Sequence, residues 1–284
     1  MKENEASASR FDGLMIGIPS LSRPTAILKK TLALIKDSGI PYKIFVEPQE
    51  EFLYRYYCGK DSVVTLADAH RGIGFSRQTM MDYARANGYK YIMEMDDDVD
   101  AFERIDNNDK FESFMMTVRD CYEAMEKYPK LGGIRFALYR FWLYTKKDMY
   151  KWNDFNCLLM GNAFLRVAAL KETDSLADIP HYEDTINSLH ILQNGFFTLN
   201  YGLSGLKVLF NQGAGGCNSG ERQELCLKAI DVIKKEFPHT LTKENKTWGV
   251  DVDVKYYLEQ YGRTPIKCRN DEELDKWLQS RSMA

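Results

Sequence analysis

Apolar positions along the chain fall into short runs separated by longer amphipathic stretches. The run Leu14-Met15-Ile16-Gly17-Ile18-Pro19 is closed by proline and reads as a buried strand. Pro24 suits the first turn of a helix whose apolar face, Ile27, Leu28, Leu32, Leu34 and Ile35, ends at Gly39. Tyr42 to Val46 and Val63 to Leu66 predict two further strands, Ser76 to Asn87 a helix closed by Gly88, and Tyr91 to Met95 a fourth strand. This alternation predicts an α/β fold, a Rossmann-like, mostly parallel sheet flanked by helices, with ligands bound beyond the carboxyl ends of the strands. Pro19, Ser20, Glu47 and Asp96 all fall on that edge.

Further along, Lys110 to Tyr128 predicts a long amphipathic helix and Leu131 to Leu138 a strand entered through Gly132-Gly133. The pattern then mixes. An aromatic-basic stretch runs from Tyr139 to Trp152, an apolar run from Cys157 to Leu170, a helix from Asp184 to Gln193 and a strand from Phe196 to Tyr201. Asn211 to Gly220 is glycine-rich and fits either a lid closing over a ligand or a plain connection. From Glu221 onward the chain reads as mainly helical and strongly charged, and it contains neither repeats nor a long linker.

Composition narrows the class. The 284 residues, 44% hydrophobic, are enough for a substantial core. A net charge of -3 argues against a surface that binds polyanions everywhere, while leaving room for a local basic groove. The six cysteines, Cys58, Cys121, Cys157, Cys217, Cys226 and Cys268, form no C-x-x-C pair and read as reduced thiols. The start, Met1-Lys2-Glu3-Asn4-Glu5, lacks the apolar core of a signal peptide, and no apolar run approaches the ~18 residues of a membrane span. A cytoplasmic protein with no membrane partner is the expectation.

The richest chemistry lies in Asp96-Asp97-Asp98 at the end of the fourth strand. Carboxylates there suit a hard cation, Mn²⁺ or Mg²⁺, that neutralises a diphosphate leaving group. Alternation along an extended chain lets Asp96 and Asp98 point one way and Asp97 the other, and Asp100 extends the cluster. A solvated acidic turn is the competing reading of so short a motif. The strand context favours the metal.

The sequence resembles the GT-A glycosyltransferases through Ile16-Gly17-Ile18-Pro19-Ser20, Gly74-Phe75-Ser76-Arg77, Tyr91 to Asp98, and Glu183-Asp184. Within them it is similar to the TET-associated glycosyltransferase group, linked to hypermodified pyrimidines in phage and other DNA. That similarity rests on Pro19-Ser20 with Arg23-Pro24, Arg71-Gly72-Ile73-Gly74 with Arg77, and Asp96-Asp97-Asp98-Val99. It spans about residues 14 to 200.

The resemblance implies a nucleotide-sugar donor, a UDP-sugar, on the first half of the sheet. Pro19, Ser20 and Arg23 would line its diphosphate and Glu47 its base or ribose. Arg71, Gly74 and Arg77 would meet phosphate, with Asp96 and Asp97 at the donor and Asp96 and Asp98 on the metal. Arg71 and Arg77 read equally as ion-pairing residues. Glu183-Asp184 resembles the acidic pair that supplies a catalytic base, with Asp184 preferred; Asp184 also suits a helix N-terminus. His181, His190 and His239 are candidate third metal ligands or structural histidines, and no one of them fits the expected place.

For the acceptor, Arg140, Trp142, Tyr144, Lys146, Lys147 and Trp152 interleave aromatic and basic side chains. Such a stretch can stack on an extruded base while neutralising flanking phosphates, form a sugar platform, or be a core strand with a basic edge. The resemblance favours double-stranded DNA carrying a 5-hydroxymethylpyrimidine, modified in a host cytoplasm if the chain is phage-encoded. A glycan, lipid or protein acceptor, or a catalytically silent module binding DNA or protein, are the alternatives. The expected organisation is a polar leader (1–13), a nucleotide-sugar-binding half (14–138), an acceptor-binding half (139–220) and a helical C-terminal extension (221–284).

Overall fold

A computed structural model describes residues 11–138, 150–208, 222–245 and 249–282. Its first half is built from β1 (Leu14–Pro19), β2 (Tyr42–Val46), β3 (Val63–Thr65) and β4 (Tyr91–Glu94), all parallel, in the order β4-β1-β2-β3. Every residue of β1 and β4 is buried, which is why these runs are apolar throughout rather than alternating. Side chains still divide by parity: Ile16 and Ile18 enter one hydrophobic cluster and Met15 another, each against its own layer of helices.

The single helix expected after Pro24 is two: α1 (Ala26–Lys29) and α2 (Thr31–Ile35). Lys30 leaves helical geometry at φ -119° and ψ -103°, and its ammonium pairs with Asp100 at 2.9 Å. The break turns Thr31 toward the acidic triplet. Its Oγ1 donates to the Asp96 carbonyl (2.7 Å) and accepts from the Val99 N–H (3.1 Å). A helix absent from the sequence reading, α3 (Glu51–Cys58), follows a 3-10 turn over Pro48–Glu50 and buries only Tyr54. The expected helix at Ser76 starts earlier, as α4 (Ile73–Ala86).

Past the triplet, β5 (Val99–Arg104) was also unforeseen; α5 (Lys110–Lys127) and β6 (Leu131–Leu138) match expectation. There follow β7 (Trp152–Phe155), β8 (Ala163–Arg166), α6 (Glu183–Gln193) and β9 (Phe197–Val208), which runs well past the expected end at Tyr201. β9 pairs with β6 from Phe197 to Leu206, with β7 early in its length and with β5 later. Among the described residues the sheet order, starting at β12 (Thr264–Cys268), is β12-β7-β9-β6-β8-β4-β1-β2-β3, with β5 on β9. β5, β7 and β8 run against their neighbours, so the sheet is mixed but mostly parallel in direction.

The C-terminal segment is helical, with α7 (Arg222–Glu236), α8 (Lys255–Gln260) and α9 (Asp271–Ser282). It also holds a hairpin of β10 (Leu241–Asn245) and β11 (Gly249–Asp253), and β12 (Thr264–Cys268), which closes the edge of the main sheet on β7. A third hydrophobic cluster, including Ile186, Leu189, Ile230, Ile233, Phe237 and Val252, fastens α6 to α7 and the hairpin. Among the described residues no helix is long and apolar enough to cross a membrane.

Candidate active site

β4 delivers the triplet to the sheet edge, and each aspartate meets a different fate. Asp97 is buried; its Oδ2 accepts from Ser20 Oγ (2.6 Å) and its Oδ1 from Arg23 Nη1 (2.9 Å). Ser20 shares a further 2.6 Å hydrogen bond with the Tyr54 hydroxyl, which also accepts the Arg23 N–H at 3.0 Å. The unforeseen helix α3 therefore braces the β1 end. Asp96 lies between Asn162, whose amide spans its backbone N–H and Oδ2 at 2.7 Å each, and Arg77 Nη2 at 3.3 Å from Oδ1. Asp98 accepts from its own backbone N–H and, among the side chains of the described residues, meets Arg23 at a long 3.5 Å. Its carboxyl is pushed up to about 6, first by desolvation and then by the charges of Asp96 and Asp97.

Asp100, expected to extend the acidic cluster, is instead neutralised by Lys30 (2.9 Å) and Lys110 (3.0 Å), which hold its carboxyl down at about 2. The open member of the group is Asp98. Among the described residues no set of three or more His, Cys, Asp or Glu side chains is gathered to hold a metal ion. His190 is buried between α6 and α7, with Nε2 2.7 Å from Glu236, and the His239 ring lies 4.3 Å from that of Tyr256. The His181 ring packs on Tyr182 at 4.5 Å.

Arg77 was expected at phosphate, and its surroundings do not fit that role. The side chain is 4% exposed. Nη1 donates to Glu94 Oε2 (2.7 Å) and to the Gly161 carbonyl, Nη2 faces Asp96, and Nε lies 3.2 Å from Glu183 Oε1. One guanidinium thus joins β4, the triplet, the segment before β8 and the start of α6. Arg71 likewise pairs with Asp178 (2.9 Å) and Asp68 (3.4 Å) and lies over the Phe75 ring. Gly74 serves packing rather than phosphate: a Cβ there would stand 2.0 Å from the Ile179 carbonyl oxygen. Gly72, at φ +85°, also lies close to the chain, with a Cβ there 2.9 Å from Pro180.

Glu183 and Asp184 open α6 behind Tyr182, which holds the left-handed conformation at φ 66°. Glu183 is buried against Arg77, whereas Asp184 is half-buried and accepts the Thr185 N–H at 2.7 Å. Burial raises both carboxyls above the ordinary range against the opposing pull of Arg77. The more accessible of the pair is Asp184. Glu47, at the end of β2, is mostly buried and accepts the His70 N–H (2.9 Å). Pro19 closes β1 beside it, in register with Phe45.

Trp152 was expected to stack on an acceptor, and the structure corrects this. It is fully buried, donates Nε1 to Asp271 (2.8 Å) and packs edge-on against Tyr201. Arg140, Trp142, Tyr144, Lys146, Lys147 and the glycine-rich loop lie outside the described residues. Asn162 was missed because it sits within an apolar run. A lone amide there was its only signal, since a buried polar group needs a partner.

A parallel half ending in an aspartate triplet, followed by a mixed half carrying an acidic helix start, is the arrangement of the GT-A fold of glycosyltransferases. The profile of the TET-associated glycosyltransferase family matches residues 14–201, and the chain belongs to that family. Mannosyltransferase PcManGT from Pyrobaculum calidifontis, in complex with GDP-Man and Mn²⁺, superposes at a TM-score of 0.52 and 12% identity over 79% of this chain and 63% of its own. Residues 1–349 of S. aureus TarS superpose at 0.48 and 12% identity over 78% and 72%. No curated protein sequence matches the chain.

Proposed function

We infer that the protein transfers a sugar from a UDP-sugar to the hydroxyl of a 5-hydroxymethylpyrimidine in duplex DNA, in a metal-dependent reaction. The carrying observation is the bridge at Arg77, which sets the aspartate triplet and the Glu183-Asp184 pair on either side of one guanidinium. The DNA acceptor is supported by the family's association with TET enzymes, and the divalent ion by the Mn²⁺ of the mannosyltransferase neighbour. The donor side is the sheet edge beyond the carboxyl ends of β1 and β2, where Pro19, Ser20, Arg23 and Glu47 lie.

The residues present fit a cation. Asp98 is a desolvated carboxylate, beside two others, whose one cation among the described residues, Arg23, stands at 3.5 Å, a charge arrangement that a divalent ion relieves. Asp96 and Asp98 would hold Mn²⁺ or Mg²⁺, and the bound ion would neutralise charge on the leaving diphosphate. Asp97, already bound by Ser20 and Arg23, fixes the turn. Asp184 accepts the acceptor's proton as the hydroxyl oxygen bonds to the anomeric carbon and the bond to the diphosphate oxygen breaks. Burial raises its proton affinity above that of an ordinary aspartate, which makes it the stronger base.

The test incubates the protein with Mn²⁺ or Mg²⁺, a panel of UDP-sugars plus GDP-mannose, and DNA containing 5-hydroxymethyluracil or 5-hydroxymethylcytosine. Nucleosides are then analysed by mass spectrometry. A hexose or pentose mass on the modified nucleoside is expected. Donor hydrolysis with unchanged DNA would move the reading to another hydroxyl acceptor, and no donor turnover at all would overturn it.

A further inference from the structure

We propose that Arg77 is a positioning residue for sugar transfer, fixing the first turn of α6, and with it Glu183 and Asp184, relative to the aspartate triplet without itself touching the donor. This rests on the reading of Asp184 as base.

Three observations carry it. The guanidinium is enclosed within the protein: Nη1 on Glu94 and the Gly161 carbonyl, Nη2 on Asp96, and Nε, which makes no hydrogen bond among the described residues, 3.2 Å from Glu183, with almost no exposed surface. A fork so buried among carboxylates presents no face to a phosphate. Second, α6 begins without a side-chain cap. Its N-cap position, Tyr182, is a non-glycine residue in the left-handed region, and no side chain there closes the first turn. What holds that turn is lateral: Arg77 on Glu183, the Tyr182 hydroxyl on the Val250 carbonyl (2.6 Å), and Ser188 Oγ, which donates to the Asp184 carbonyl and accepts the Leu159 N–H.

Third, space is closed around the contact. A Cβ on Gly161 would stand 2.8 Å from Arg77 Nη2, and one on Gly74 would strike the Ile179 carbonyl three residues before Tyr182. The chain approaches Arg77 as closely as glycine permits. Loss of the guanidinium would free α6's start to shift, and misplacement of a base by about 1 Å costs on the order of a hundredfold in rate.

The test compares wild type, Arg77→Lys, Arg77→Ala and the double variant Arg77→Gln/Glu94→Gln, with Asp184→Asn as control. The double variant guards against misfolding, because it removes the buried carboxylate along with its partner. Release of nucleoside diphosphate from the donor selected in the panel gives kcat and donor KM, and thermal unfolding reports folding. Folded variants should keep donor KM within about threefold while kcat falls about a hundredfold. Guanidinium chloride at millimolar concentration should restore part of the Arg77→Ala rate but none of the Asp184→Asn rate.

A donor KM raised more than tenfold with kcat retained would make Arg77 a donor ligand and overturn the proposal. So would a lowered melting temperature with unchanged kcat. Full turnover by Asp184→Asn would instead remove the base reading itself, so the two failures are distinguishable.

Discussion

Asn162→Ala is the substitution that most directly probes how the triplet is held. The amide makes two 2.7 Å bonds to one aspartate, accepting the Asp96 N–H and donating to its Oδ2, from a side chain that is itself buried. Loss of a neutral hydrogen bond costs about 1 kcal/mol and of a charge-assisted one about 1.5–3 kcal/mol. The Asp96 side chain is 38% exposed, so water replaces much of the second bond. A net cost of about 2 kcal/mol follows, or roughly 3–4 °C in melting temperature for a chain of this size. The freed carboxylate should also bind its cation more weakly, by about 10–100-fold, as for other side chains that orient a ligand from behind. Thermal unfolding without metal and a Mn²⁺ titration of donor turnover measure the two effects separately. A melting temperature within about 1 °C of wild type, together with an unchanged Mn²⁺ requirement, would refute this role for Asn162.

Asp184→Asn should lower kcat by about 10²–10⁴ with donor KM retained, as for a lost general base, whereas a loss confined to KM in steady-state kinetics would count against that role. Trp152→Phe should cost about 1–3 kcal/mol in urea unfolding, because Asp271 loses a donor, yet leave turnover per folded molecule unchanged; a specific loss of DNA binding would restore the stacking role. Gly74→Ala should destabilise by about 1–3 kcal/mol or more, since backbone and not a flexible side chain meets the new methyl; an unaltered urea midpoint would contradict the packing. Asp106 is gripped by Arg104 through two bonds, 2.7 and 2.8 Å, and its carboxyl is held below the ordinary range chiefly by those bonds. Its stabilisation, no more than about 1 kcal/mol at this exposure, is present above the unfolded value near 4 and lost as pH falls through the folded one. Asp106→Asn should therefore lower the urea midpoint at neutral pH and converge with wild type in acid.

The parallel half was legible because its strands are buried on both faces and bounded by Pro19, Gly39 and Gly88, so composition and punctuation agree. What escaped was structure set by partners distant in sequence. β5 exists because β9 extends far enough to pair with it, and β12 because β7 offers an edge; neither run differs locally from a loop. α3 escaped because Phe52, Leu53, Tyr56 and Tyr57 face outward and only Tyr54 inward, which reverses the usual pattern. At the site, residue types and sheet edge were readable while the pairings were not. Arginine within a glycine-rich turn suggests phosphate equally well whether the guanidinium faces solvent, as Arg71's partly does, or a ring of carboxylates, as at Arg77. Interleaved aromatic and basic residues likewise concealed Trp152, whose indole belongs to the core.

The triplet's internal division follows from electrostatics rather than from strand alternation alone. Three adjacent carboxylates at a low-dielectric edge repel one another, and the fold answers with a separate device for each neighbour of Asp98. Arg23 and Ser20 bind Asp97, Arg77 and Asn162 bind Asp96, and Lys30 with Lys110 bind Asp100. Thr31 ties the Asp96 carbonyl to the Val99 N–H across the turn, which removes the backbone freedom by which Asp98 could swing into solvent. Asp98 is thereby kept partly desolvated, beside like charge, with one long contact to Arg23. A protein stores such a cost where function uses it, and a divalent cation is the ligand that turns this repulsion into attraction. The three aspartates are thus unequal: Asp97 shapes the turn, Asp96 is oriented by its neighbours, and Asp98 would gain most from the proposed cation.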